Sequence, residues 1–224
     1  MTQLENEIAD IKAEVVSMWY LVESQLKKAR TAMLHFDRDL AREIVLKEKR
    51  VNAFELKLDR DCENIFALYC PVAVDLRFLL AVLKINNNLE RIGDIADGIA
   101  KYVIESLSDF DHKLFTNTEL ITMFDDSISI LSDTRIAFEK EDTILARSIF
   151  KKDEVLDRIN ANAIKKIEDC IKTDLGMIND ALYVLSIIRK LERVGDQAKN
   201  IAEEIIFYIE AKVLKHNEEE AEKD

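Results

Sequence analysis

Six residues of this chain are written nearly twice: LERIGD at 89–94 returns as LERVGD at 191–196, 102 positions on. The match extends beyond the hexapeptide. At the same offset Leu80, Val82, Leu83 and Leu89 meet Leu182, Val184, Leu185 and Leu191, and Glu90, Arg91, Gly93 and Asp94 meet Glu192, Arg193, Gly195 and Asp196. Ala96, Ile99 and Ala100 then meet Ala198, Ile201 and Ala202. A repeat of this span implies two copies of one supersecondary unit, so the chain is expected to fold as a tandem. Upstream, Asp61-Cys62 returns as Asp169-Cys170 at an offset of 108, which predicts six fewer residues in the second of the two helix connections.

Each unit reads as helical. One Pro and four Gly in 224 residues leave little punctuation for hairpins, and Ala, Leu, Ile, Glu and Lys favour helix. From Leu4 to Phe36 the apolar residues keep a heptad: Ile8, Val15, Val22, Ala29 and Phe36 at one position, Leu4, Ile11, Met18 and Ala32 at the other, with Gln25 interrupting. Asp37 or Asp39 can cap a second helix that runs to about Tyr69, where Pro71 turns the preceding residue away from helical angles. A third follows to about Ser108. The segment DFDHKLFTNTE breaks the pattern, and Thr116 with Glu119 has the spacing of a capping box for a fourth helix. EKEDT near 139–143 and KTDLGMIND near 172–180 separate the fourth, fifth and sixth. The expected architecture is all-α: two tandem three-helix bundles of six long antiparallel helices, with the first bundle over 1–109, a linker over 110–117, the second bundle over 118–216 and a frayed acidic tail over 217–224.

The 48% hydrophobic content is enough to bury a real core. The net charge of −12 repels nucleic acid and anionic membrane surfaces, both of which demand clustered Lys and Arg. A cationic ligand or a basic partner surface fits better. No N-terminal apolar run resembles a signal peptide and no stretch approaches the roughly 20 apolar residues of a membrane span, so a cytoplasmic protein without membrane insertion is expected. Cys62, Cys70 and Cys170 are odd in number and form no CxxC, which predicts buried reduced thiols. His35, His112 and His216 are too few for a histidine-rich metal site.

At about 100° per residue, Ile85, Leu89, Ile92, Ala96, Ile99 and Val103 form one stripe toward the core. Glu90, Asp94 and Asp97 fall within about 60° of one another on the opposite face. In the second copy Glu192 and Asp196 repeat the first two, while Lys199 stands for Asp97 and Glu203 for Lys101. Like charges at i,i+4 and a mid-helix Gly both destabilise a helix, the latter by about 1 kcal/mol relative to Ala. Paying for both twice suggests a shared use. Gly93 and Gly195 would let a neighbouring helix approach and bring further oxygen groups to the pair: Glu48, Asn52, Glu55 and Asp59 on the second helix, Asp153 and Asp157 on the fifth. An oxygen-only set of this kind suits magnesium, manganese or iron better than a closed zinc site. It lies on an outward face, and the Glu-x-x-His pairs of an interior di-metal enzyme do not occur.

These residues resemble the PhoU family of phosphate-signalling regulators, from Leu4 to about Tyr208, above all in PVAVDLR at 71–77, LERIGDIADGIA at 89–100 and LERVGDQAKNIAE at 191–203. The resemblance implies metal ligands at Glu90 and Asp94 and at Glu192 and Asp196, with iron or zinc clusters added to manganese and magnesium as the ions to consider. It adds Glu48, Asn52 and Glu55 from a segment similar to D-x-x-V-N-x-x-E, and Asp153 and Asp157 from DEVLD. Cys70 departs from a common Gln, and Ile95 from a common His, which removes a nitrogen ligand and leaves the metal open. The resemblance further implies a non-enzymatic cytoplasmic negative regulator, commonly a homodimer, that links a phosphate ABC transporter to a sensor histidine kinase.

Two other readings of the residues stand beside this one. A metal-free helical adaptor explains the same bundles. A carboxylate-bridged metal hydrolase or oxidoreductase would need a general base or an open metal position in a dry pocket, which an outward acidic face does not offer. His35, at the end of the first helix beside Phe36 and Asp37, reads as a capping or packing residue and not as a phosphotransfer acceptor. No residue is assigned a catalytic or organic-cofactor role.

Overall fold

The computed structural model describes residues 2–213, so the acidic tail at 217–224, the end of the second bundle at 214–216 and His216 lie outside the described residues. Among the described residues seven helices follow one another: α1 Gln3–Leu34, α2 Arg38–Tyr69, α3 Ala73–Glu105, α4 His112–Thr118, α5 Leu120–Lys140, α6 Thr143–Thr173 and α7 Ile178–Glu210. A 3₁₀ turn, Leu175–Met177, leads into α7, and no strand occurs among the described residues. The helix starts follow from local chemistry. Thr2 and Glu5 form a reciprocal capping box on α1, the Asp37 carboxylate accepts from the Asp39 and Leu40 N–H groups, and Asp142 accepts from Leu145 N–H.

α1, α2 and α3 pack on one another, as do α5, α6 and α7. The two bundles then join along α3 against α7 and α1 against α5. Both seams are antiparallel. Along the first, Lys84 meets Glu204 and Asn88 meets Asn200, while the Tyr102 and Tyr183 rings meet at a tilt with centroids 5.4 Å apart. Partner numbers fall along α7 as they rise along α3, so the two hexapeptides stand level along this seam, with Gly93 packed toward α2 and α1 and Gly195 toward α6. Along the second, Arg30 meets Asp125, Arg135 meets Glu23, and the Trp19 indole donates to the Leu131 carbonyl at 3.2 Å. Trp19, Phe78, Phe138 and Tyr208 pack ring against ring across this junction, which makes the core continuous between the bundles.

The expected core stripe of α3 is fully buried at Ile85, Leu89, Ile92, Ala96, Ile99 and Val103. Four expectations need correction. The stretch expected as a linker over 110–117 holds a short helix, α4, whose Leu114 and Phe115 are buried against the second bundle. Thr116 and Glu119 make no capping box: Thr116 Oγ1 donates to His112 O inside α4, and Glu119 takes a left-handed conformation between α4 and α5 with its carboxylate on Arg158 and Lys166. The second helix connection is not six residues shorter: 174–177 between α6 and α7 is four residues against three at 70–72 between α2 and α3, and from capping aspartate to motif glycine the second unit is shorter by three. Cys62 and Cys170 are buried thiols, but Cys70 is exposed, because it ends α2 in a left-handed conformation just before Pro71.

Candidate functional site

In the first bundle α2 and α3 bring the expected oxygen groups to one face. Glu90 is half-buried and Asp94 exposed on α3; Glu48 and Glu55 face them from α2. Burial pushes the Glu90 carboxyl up, and Asp94, Glu55 and Glu48 add to the rise in that order, to about 7. Glu55 is raised by its own burial, then by Asp59, with Asp94 contributing and a hydrogen bond from Asn87 opposing. Asn86 ties the two helices together beneath this face, its amide donating to Glu55 O at 3.0 Å and to Asp59 Oδ1 at 2.9 Å. Asn52 Oδ1 is buried with no donor. An unpaired amide oxygen beside mutually repelling carboxylates is a donor set that a hard cation would satisfy.

Gly93 serves the expected close approach. A Cβ there would lie 3.1 Å from Val51 Cγ1 and 3.6 Å from the amide oxygen of Gln25. Gln25, the residue that interrupts the α1 heptad, is buried with neither amide atom paired.

Asp97 is not on the outward face with Glu90 and Asp94. It is 6% exposed, because α7 crosses α3 on that side with Lys190 packed over Gly98 and the Tyr102 ring. Its carboxylate holds Lys101 at 2.6 Å, the i,i+4 pair expected from the spacing.

In the second bundle α6 and α7 bring together Asp153, Asp157, Glu192 and Asp196. Burial raises Glu192, followed by Asp196, Asp157 and Asp153. Asp153 is 1% exposed, and burial pushes it up to about 6 against the pull of Lys199. Lys199, although lowered by its own burial, is held above its usual value first by Asp153 and then by Asp196. Its ammonium bonds Asp153 Oδ2 and lies 3.1 Å from Asp196 Oδ1. Gly195 is closer packed than Gly93, with a Cβ there standing 1.9 Å from Asp153 Oδ1.

Among the described residues no three His, Cys, Asp or Glu side chains converge tightly enough to ligate an ion as they stand. The sequence named the carboxylates of both faces. It did not name Asn86 and Asn87, which sit one helical turn before Glu90 and Arg91 in the run INNN, nor the entry of Lys199 into the second face. The only signal for the latter was the swap of Asp97 for Lys199 between the copies.

Grooves elsewhere are shallow. One between the start of α1 and the end of α2, lined by Glu7, Asp10, Glu14, Lys57 and Asp61, encloses about 480 Å³ and lies away from both motifs. His35 ends α1 as its C-cap, with its N–H on Thr31 O. No helix among the described residues is long and apolar enough to cross a membrane.

The family model for the PhoU domain matches this chain twice, over residues 15–103 and 120–205. The phosphate-specific transport system accessory protein PhoU of Edwardsiella tarda is 34% identical over 214 residues, which cover 96% of this chain and 87% of that protein. The crystal structure of PhoU from Pseudomonas aeruginosa superposes with a TM-score of 0.86 at 29% identity, over 94% of this chain and 100% of that one. The phosphate transport system regulatory protein PhoU from Streptococcus pneumoniae superposes with a TM-score of 0.85 at 28% identity, over 94% of this chain and 99% of that one.

Proposed function

We propose that this chain, which belongs to the PhoU family, is a cytoplasmic negative regulator of phosphate uptake and phosphate-starvation signalling. It acts by docking, as a homodimer, between a phosphate ABC transporter and a sensor histidine kinase. The observation that carries this reading is the match over nearly the whole chain, in sequence to a protein named as accessory to a phosphate-specific transport system and in fold to PhoU. Its chemistry is that of a binding surface. Neither acidic face pairs a nucleophile with a base, and the net charge of −12 suits basic partner surfaces.

The first acidic face takes a metal ion in this reading, through Glu90 and Asp94 on α3 with Glu48, Asn52 and Glu55 on α2. A bound iron, manganese, zinc or magnesium ion supplies positive charge to a face that otherwise repels itself. Glu90 and Asp94 orient toward α2, Asn86 holds α2 and α3 at fixed separation, and Gly93 keeps them close. A metal-free helical adaptor is the second reading, favoured by the spread of the carboxylates among the described residues. Metal analysis of protein purified without chelator or affinity tag separates the two.

The test of function is affinity capture from crosslinked membranes of phosphate-replete and phosphate-starved cells, read by mass spectrometry. Recovery of the transporter's ATP-binding subunit and a histidine kinase, in amounts that change with phosphate, is expected. Recovery of neither in either state would overturn the proposal.

A further inference from the structure

The two acidic faces look alike in sequence and differ in structure. In the second, the place between α6 and α7 where a cation would sit is filled by the chain's own ammonium group: Lys199 Nζ on Asp153 Oδ2, and 3.1 Å from Asp196 Oδ1. Asp153 is buried to 1%, and its Oδ1 has no donor. The missing Cβ of Gly195 is what admits this carboxylate, because a methyl there would stand 1.9 Å from Oδ1. So the glycine, the aspartate and the lysine make one fitted unit.

The first face keeps the glycine, at Gly93, and at the 105-residue offset of the capping aspartates Glu48 stands where Asp153 does, but the lysine is missing and no carboxylate is seated on the glycine. Val51, an apolar side chain, lies against Gly93. Asp97 occupies the position that Lys199 holds in the second copy. The nearest lysine on that helix, Lys101, is turned onto Asp97 at 2.6 Å. Glu90 and Asp94 form no ion pair among the described residues, whereas Asp196 does.

We propose that Lys199 is a built-in counterion that takes the place of a metal ion in the second bundle, leaving the α2–α3 face as the single metal-binding face of the chain. The first-face half of this statement rests on the metal reading given above; the Lys199 half does not. A lysine tethered to its own helix holds its charge against Asp153 and Asp196 at every metal concentration, so the second bundle is held in one state while the first responds to cation supply.

The test is calorimetric titration of the full chain with manganese(II) chloride. Wild type is expected to show one class of site that is lost in Glu90→Gln/Asp94→Asn and kept in Glu192→Gln/Asp196→Asn. Lys199→Met is expected to double the bound manganese and to melt lower than wild type without the ion, with recovery on adding it. Adding Glu192→Gln/Asp196→Asn to Lys199→Met should remove the gain. A wild-type site lost through Glu192→Gln/Asp196→Asn would overturn the proposal, and this arm decides even if Lys199→Met does not fold. A folded Lys199→Met protein that gains no manganese would also overturn it. If wild type binds none while Lys199→Met gains a site, the metal reading of the first face fails and the counterion role stands.

Discussion

The two motif glycines occupy the same place in the repeat but should respond very differently to alanine. At Gly195 a Cβ would lie 1.9 Å from Asp153 Oδ1 and 2.8 Å from Leu156 Cδ1, so both side chains must move. The Asp153 side chain is 2% exposed and bound to Lys199, and pushing it aside breaks a buried ion pair. Removing one partner of such a pair costs about 3–5 kcal/mol, while alanine returns about 1 kcal/mol of helix propensity. Gly195→Ala should therefore lose about 2–4 kcal/mol. At Gly93 the contact is Val51 Cγ1 at 3.1 Å, which a shift of a few tenths of an ångström relieves. A mild overpacking cost of about 1 kcal/mol then offsets the propensity gain, and Gly93→Ala should stay within about 1 kcal/mol of wild type. Urea unfolding of the metal-free proteins, followed by circular dichroism, measures both. Equal losses at the two positions, or a Gly195→Ala protein as stable as wild type, would refute the close packing of Asp153 on Gly195.

Glu90→Gln/Asp94→Asn should steady the metal-free protein at neutral pH. The folded-state pKa of Glu90, about 7, lies above its ordinary 4.5, so the native state holds the extra proton between these values and stability falls as pH rises through them. Screening of this half-buried group leaves a gain of about 1 kcal/mol for the variant, seen above about pH 7 and absent below about pH 4.5; melts across that range showing no such difference would contradict the crowding of carboxylates. Phe138→Ala removes a ring packed on Trp19, Phe78 and Tyr208 and should cost about 3–5 kcal/mol while leaving one cooperative transition, because the bundles share their core. Two separate transitions in calorimetry would show that they do not.

Much of the fold was legible because helical periodicity is a local signal. The stripe from Ile85 to Val103 is buried throughout, and the repeat pointed to two like units whose motifs lie on α3 and α7. What escaped depends on how those units meet. Asp97 shares a helical face with Glu90 and Asp94, yet α7 crosses there and buries it, which a single-helix projection cannot express. Lys199 looked like half of a surface ion pair with Glu203. Its reach to Asp153 depends on α6 lying close against Gly195, a tertiary fact. Asp61-Cys62 and Asp169-Cys170 do not mark equivalent turns of α2 and α6, because the capping aspartates at 37 and 142 set an offset of 105 and not 108. Gln25 breaks the heptad of α1 and is a buried unpaired amide. The structure offers no partner for it among the described residues.

The proposed restraint of the phosphate-starvation response by this chain is read by a phosphate-responsive transcriptional reporter in the native host with the gene deleted. The reporter is expected to be switched on in phosphate-replete medium, and to be returned to its low state by the wild-type chain and only incompletely by Glu90→Gln/Asp94→Asn. A deletion strain whose reporter still follows phosphate as the parent does would contradict that restraint.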